Sequence, residues 1–298
     1  MDIKINICTP TYNRGHLLPN LYKSLINQTF KSFEWLIIDD GSNDNTKKIV
    51  ENFQKENKIK IKYIYKNNGG KHTALNIGIK EANSELFFIV DSDDILTENS
   101  LELIWETWIK INNKDEFAGI AGLRGYSESE IIGDTFEGKY LDATYIDLRF
   151  SKGINGDKAE VYRTDIMKKY VFPEFKGERF LTEAVVWNRI ANDNLKLRWI
   201  NEIIYITEYL EGGLTDNYSK LMVNNWNGTN LYYKEILESK KINKQKRLKI
   251  ITDEYCYYLS IKGLSIKLIK ELTYNFFEIV YIYLVCFLKT IKKQIFRR

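Results

Sequence analysis

Apolar positions in the first hundred residues fall into short continuous runs, and the stretches between those runs carry helical spacing. "IKINICTPTY" (3–12) ends in Thr and Pro, which predicts a strand running into a loop. Leu17, Leu18, Leu21 and Leu25 follow at helical spacing. "FEWLIIDDGSND" (33–44) reads as a second strand, ended by acids, Gly and Ser. Ile49, Val50 and Phe53 give the next helix its apolar face, and "IKYIYKNNGG" (61–70) opens with a third strand. Ala74, Ile77 and Gly78 lie on the helix after it, and "ELFFIV" (85–90) is a fourth strand. Leu101, Ile104, Trp105, Trp108 and Ile109 are spaced i, i+3, i+4, i+7, i+8 and predict a long amphipathic helix.

Apolar strands separated by helices indicate a parallel sheet covered on both faces. In such sheets ligands bind at the carboxyl ends of the strands. That rule sets Thr9 to Tyr12, Asp39 to Ser42, Asn67 to Lys71 and Asp91 to Asp94 along one edge. Residues 115–210 are less regular, with Gly-rich pieces such as "GLRGYSESEIIGD". "ERFLTEAVVWNRIAND" (178–193) reads as a helix capped by Thr182 or a neighbour, and helices dominate after 215.

At 298 residues, 44% hydrophobic and 28% charged, the chain is globular, one large domain or a domain with an appendage. Cys8, Cys256 and Cys286 are far apart, odd in number and without a C-x-x-C pair. Neither a disulfide framework nor a zinc site is therefore expected, and a reducing compartment fits. "MDIKINICTP" has no basic flank and no long apolar run, which predicts no secretory signal and a cytoplasmic location. The net charge of +4 is uneven: from Lys262 onward eight Lys/Arg face two Glu, which leaves the body slightly acidic. Nucleic-acid binding gains no support, and the basic character belongs to the tail.

"ELFFIVDSDDIL" (85–96) places Asp91, Asp93 and Asp94 directly after a buried strand. Such crowding is tolerated where a cation neutralises it, and hard oxygen ligands suit Mg²⁺ or Mn²⁺ bridging phosphates. Asp91 and Asp93 share a face on an extended segment. Alone, the pattern equally suits a solvated acidic turn capping the next helix.

Taken in order, "TPTYNR", "DDGSNDNT", "NGGKHTALNIGI" and "VDSDD" resemble the family 2 glycosyltransferases, inverting enzymes of the GT-A fold with nucleotide-sugar donors. The resemblance is specific over residues 1–100, thinner to 210 and absent beyond 215. No G-x-G-x-x-G follows the first strand and no G-x-x-x-x-G-K-[ST] occurs, which removes support from dehydrogenase and P-loop readings.

The resemblance implies site residues. Thr9, Pro10, Tyr12 and Arg14 belong to the loop on the nucleotide base, with Tyr12 stacking on uracil, and Asp40 accepts from the base N3–H while Asp39 orders the turn. Lys71 lies against the nucleotide or its phosphates, and Asn76 closes the same pocket. Asp93 is the metal ligand, Asp91 a ribose or metal contact, Ser92 lies between them in the donor site, and Asp94 orients the cluster or approaches the acceptor. Manganese or magnesium is the implied cofactor; neither His16 nor His72 is placed to add the late ligand that many GT-A enzymes recruit. Glu183 is the expected base, sharing a helix face with Val186, Trp187 and Ile190, with Ala184 where Asp often stands and Glu178 as fallback. Gly212 and Gly213 read as a lid hinge or a simple turn.

In the tail, Phe276 to Leu288 is apolar apart from Glu278, too short to span a bilayer. Followed by Lys289, Lys292, Lys293, Arg297 and Arg298, it reads as an interfacial helix or as a last helix packed on the domain. The expectation is thus an α/β GT-A-type, mostly parallel sheet flanked by helices over 1–212, with a helical region over 213–298. Its expected partners are a nucleotide-sugar donor, expected to be UDP-linked, and a saccharide or lipid-linked acceptor at the inner face of the membrane. A metal-dependent nucleotidyltransferase and a non-catalytic sugar-nucleotide-binding protein are the alternatives.

Overall fold

A computed structural model describes residues 2–207, 217–262 and 276–295, with side chains described over 2–207, 217–256 and 276–288. The expected boundary at 212/213, the Gly212–Gly213 segment, and the tail side chains from Lys289 onward lie outside those residues. The first half alternates as the apolar runs predict: β1 (Ile5–Thr11), α1 (Leu18–Ile26), β2 (Phe33–Asp39), α2 (Thr46–Glu56), β3 (Lys60–Tyr65), α3 (Lys71–Glu81), β4 (Leu86–Ile89), β5 (Ile95–Leu96) and α4 (Ser100–Ile109). β1 pairs in parallel with β2 and β4, and β2 with β3. Every residue of β1 and β2 is buried, as a doubly covered sheet requires. Pro10 is tolerated in β1 because the β4 ladder has ended two residues earlier, at Cys8↔Ile89.

The irregular middle supplies four further strands that periodicity does not mark: β6 (Phe117–Gly125), β7 (Tyr140–Ala143), β8 (Lys158–Arg163) and β9 (Lys196–Ile206). Two short helices, α5 (Thr164–Lys169) and α6 (Ala184–Asn192), connect β8 to β9. One sheet results, ordered β3-β2-β1-β4-β8-β6-β9-β5, with β7 on β9. Its second half is mixed, since β8 runs antiparallel to both β4 and β6 while β6 and β9 are parallel.

Two apolar layers cover the sheet, assigned by strand parity. Ile5, Ile7, Trp35, Ile37, Phe88, Ala159 and Val161 pack with α1, α2 and α4. Cys8, Leu36, Ile38, Phe87 and Tyr162 pack on the other face with α3, α5 and α6. Full burial of a side chain such as Ile7 or Phe88 contributes about 1.5–3 kcal/mol.

Helices α7 (Tyr218–Asn224), α8 (Trp226–Leu237), α9 (Lys244–Lys262) and α10 (Phe276–Ile295) follow. Met222, Tyr233 and Ile236 pack with Ile146 and Ala191 of the sheet domain. α9 and α10 bring Cys256 and Cys286 together as a disulfide with Cα atoms 5.6 Å apart, contrary to the expectation of none. Sequence spacing hid the pair because helix packing, not proximity along the chain, brings the two sulfurs together. Cys8 is free and buried.

Candidate active site

The carboxyl ends of β1, β2, β3 and β4 converge as the parallel topology demands. Asp40 is almost fully buried and its carboxylate accepts four hydrogen bonds. Oδ1 takes Lys66 Nζ at 2.5 Å and Gly69 N–H at 2.9 Å; Oδ2 takes Asn68 Nδ2 at 3.1 Å and Gly70 N–H at 2.8 Å. A carboxylate offers about four lone-pair sites, so this residue pins the loop before α3 and has none left for a base. Asp39 orders the turn as expected, accepting from Ser42 N–H at 2.7 Å and Tyr63 O–H at 2.6 Å. Gly70 has φ +99, and a Cβ there would lie 2.1 Å from the Arg179 carbonyl oxygen, so the loop packs against the segment leading to α6.

The acids after β4 are matched by cations from three directions. Lys71, the first residue of α3, bridges Asp91 Oδ1 at 2.6 Å and Glu183 Oε1 at 2.8 Å. Arg14, in the loop after β1, binds Asp93 Oδ2 at 2.8 Å. Arg124 of β6 lies 4.1 Å over the Tyr205 ring, and its Nη1 is 3.9 Å from Asp94 Oδ2. The Tyr205 hydroxyl accepts from Asp91 N–H at 2.9 Å and donates to Asp94 Oδ2 at 2.6 Å. Burial opposes ionisation of Asp91, but Lys71 and then Arg124 hold its carboxyl below the usual range. Burial, then the Asp91 charge, pushes Asp94 up to about 7. Burial also opposes the Lys71 charge, and Asp91 and Glu183 outweigh it, so the ammonium stays protonated above the ordinary lysine range. The sequence signal for the acid cluster was a missing countercharge; the protein supplies much of it itself.

Other expected site residues separate into those at the cleft and those elsewhere. Tyr12 is 46% exposed at the tip of β1 beside Arg14, available to stack. Thr9 and Pro10 do not reach the cleft: both are buried in β1, where Thr9 Oγ1 accepts from Trp35 Nε1 at 2.9 Å. Ser92 is buried inside the acidic turn. Asn76 does not close the pocket either. Its side chain latches α3 to the 172–174 segment, donating to Phe172 O and Glu174 Oε1, each at 2.9 Å, and accepting from Phe172 N–H at 2.9 Å. Glu183 is the N-cap residue of α6 rather than part of its apolar face, and neither it nor Thr182 makes a side-chain cap bond. Its carboxylate turns to Lys71 instead. Glu178 is committed elsewhere, accepting from Asn227 N–H and Nδ2 at 2.8 Å each and Gly228 N–H at 2.9 Å, at the N-terminus of α8. Sequence reasoning missed Lys66, Arg124 and Tyr205 altogether; each acts through a partner far along the chain.

Lys71, Asp91 and Glu183 share a cavity of about 460 Å³ that also holds Arg124 and Trp187. Among the described residues no three His, Cys, Asp or Glu side chains converge on one point. Asp91 and Asp93 are nonetheless a fitting donor set for Mg²⁺ or Mn²⁺, ions that take one or two carboxylates and complete their shells with phosphate oxygens and water.

Residues 6–169 match the family described as Glycosyl transferase family 2. Glycosyltransferase GlyG of Streptococcus pneumoniae serotype 4 is 29% identical over 226 residues, 72% of this chain and 73% of that protein. The poly(ribitol-phosphate) beta-N-acetylglucosaminyltransferase TarP of Staphylococcus aureus is 36% identical over 130 residues, 42% of this chain and 39% of that protein. The crystal structure of S. aureus TarS 1–349 in complex with UDP-GlcNAc aligns with a TM-score of 0.61 at 20% identity, covering 95% of this chain and 79% of that one.

Proposed function

Because the chain belongs to glycosyl transferase family 2, matched over more than half its length, we propose that it moves a sugar from a UDP donor to an acceptor hydroxyl with inversion. The observation that carries this reading is the Lys71 bridge, which brings an acid of the β4 turn and the acid at the start of α6 to one ammonium. Tyr12 stacks on the base, and the Asp40-pinned loop shapes the donor cleft. Asp91 and Asp93 would hold Mn²⁺ or Mg²⁺ with the donor diphosphate, and the ion supplies positive charge as the diphosphate departs. Glu183, oriented by its ion pair with Lys71, takes the proton of the acceptor hydroxyl. The acceptor oxygen bonds to the anomeric carbon as the bond from that carbon to the diphosphate oxygen breaks, and UDP leaves with the electron pair.

Relatives named as a poly(ribitol-phosphate) beta-N-acetylglucosaminyltransferase and a GalNAc(5)-diNAcBac-PP-undecaprenol beta-1,3-glucosyltransferase support a role in bacterial surface polysaccharide or glycolipid synthesis. No described helix is long and apolar enough to cross a membrane. On α10, Phe277, Tyr281, Leu284 and Leu288 are exposed one turn apart while Ile282 and Cys286 are buried against α9. That stripe, ahead of the basic tail, supports peripheral contact with an anionic bilayer at the cytoplasmic side and a lipid-linked acceptor.

Incubation with UDP-sugars and Mn²⁺ tests the assignment. UDP release is expected, and pyrophosphate release from UTP would reject it. Asp93→Ala should weaken Mn²⁺-dependent UDP binding at least about tenfold. Glu183→Gln should leave UDP binding within about twofold and lower kcat by about 10²–10⁴; unchanged turnover removes Glu183 as the base.

A further inference from the structure

The cavity holding Lys71, Asp91 and Glu183 continues past them over the face of β8. Tyr12, Arg14, Asp40 and Asp93 do not line it, so beyond Lys71 and Asp91 it extends away from the other residues assigned to the donor. β8 is a central strand between β4 and β6. Ala159 and Val161 point into the first apolar layer, and Tyr162 into the second, stacked on Trp187 at 4.2 Å. Glu160 shares the parity of Tyr162 and faces this cavity. A charge on the inward face of a central strand is costly unless something uses it.

The partly buried Glu160 carboxylate makes no hydrogen bond and no close ion pair to another residue among the described residues, and Arg149 and Arg124 attract it from a distance. Burial pushes it up to about 7. Arg149 reaches the same cavity from a π-helical turn, Asp147–Ser151, closed by Lys152 N–H to Asp147 O at 2.9 Å. Such turns are rare and recur at functional sites. Its Nη1 donates to Gly156 O, its Nε has no partner, and its guanidinium lies 5.3 Å from the Tyr145 ring. Tyr145 and Trp187 also line the cavity.

We propose that this extension is the acceptor subsite, in which Glu160 accepts from and Arg149 donates to neighbouring hydroxyls of a neutral saccharide unit. The inference rests on the transferase reading above. Inversion places the acceptor oxygen opposite the departing diphosphate and beside the base, and the lining of the cavity runs from Glu183 to Glu160 and Arg149. A phosphate bound deepest would meet the Glu160 carboxylate, although Arg124, Arg149 and Lys158 line the same cavity. A sugar hydroxyl satisfies an acceptor and a donor at once, and aromatic walls suit its apolar face.

Saturation-transfer NMR on the full chain with UDP and Mn²⁺ tests this, using methyl β-glycosides of glucose, galactose and N-acetylglucosamine, and ribitol 5-phosphate, as probes. At least one glycoside should bind wild type and the phosphate should not. Glu160→Ala and Arg149→Ala should each weaken glycoside binding at least tenfold while UDP affinity, by calorimetry, stays within twofold. Glu160→Gln, close to isosteric and safer for folding, should weaken the glycoside less than Glu160→Ala. Glycoside binding that survives in all three variants, binding of the phosphate alone, or no glycoside binding to wild type would each overturn the subsite while UDP binding stands. Failure of wild type to bind UDP would instead bring down the transferase reading, and the subsite with it.

Discussion

Lys71→Met keeps the length and apolar stem of the side chain and deletes its charge. The ammonium contacts Asp91 at 2.6 Å and Glu183 at 2.8 Å, with exposures of 26%, 25% and 29% for the three side chains. Each contact is worth about 6 kcal/mol at an effective dielectric of about 20, and most of that is offset by desolvation. Removing one partner of a fully buried pair costs about 3–5 kcal/mol. Partial exposure lowers the expectation here to roughly 2–3 kcal/mol. At about 2–4 °C per kcal/mol for a domain near this size, Tm should fall by about 5–10 °C. The folded carboxyl of Asp91 is depressed, so its share of the stability is present above the unfolded value of about 3.9 and lost as pH falls through the folded value. The folded value of Lys71 is raised, so its share is complete below about pH 10.4. Thermal unfolding of both proteins should therefore show the full gap at neutral pH and a closing gap below about pH 4. Mn²⁺ should raise the Tm of the variant more than that of wild type, because the ion replaces a missing countercharge. A Tm within about 1 °C of wild type at pH 7, or a gap independent of pH, would refute the bridge as the centre of the site.

Two further substitutions address how the site is held. Tyr205→Phe leaves the Asp91 N–H and Asp94 carboxylate without the shared hydroxyl; it should cost about 1–3 kcal/mol in urea unfolding and weaken Mn²⁺-dependent UDP binding several-fold, and unchanged binding would mean the turn holds its shape without this contact. Gly70→Ala forces a Cβ to within 2.1 Å of the Arg179 carbonyl at φ +99; a loss above about 1–3 kcal/mol is expected, and a neutral result would show that the loop and the 179 segment separate freely.

Much of the first half was legible because its apolar runs carry their own instruction. A strand buried on both faces is mostly apolar, so β1, β2 and β4 announce themselves, and helical spacing between them implies the parallel order. The carboxyl-end rule then located Tyr12, Lys71 and Asp91 correctly at one edge. The family resemblance misjudged Thr9, Pro10 and Asn76 as cleft residues, because alternation along a strand or around a helix decides which neighbours face the cleft. Asp40 was legible as an important acid, but four donors on its carboxylate make it a loop anchor.

Local pattern by itself determined the parallel α/β half, the edge where chemistry gathers, and an acidic turn in need of positive charge. Tertiary structure alone decided where that charge comes from: Lys71 between Asp91 and Glu183, Arg14 on Asp93, and Arg124 with Tyr205 behind Asp94. It also decided the mixed strands β6 to β9, the inward Glu160 and the Cys256–Cys286 pair. The reason is range. Periodicity reports the side on which a segment is buried, a property of neighbouring residues, whereas charge compensation and strand pairing depend on partners up to 112 residues away, as from Lys71 to Glu183, which only the packed chain brings within reach.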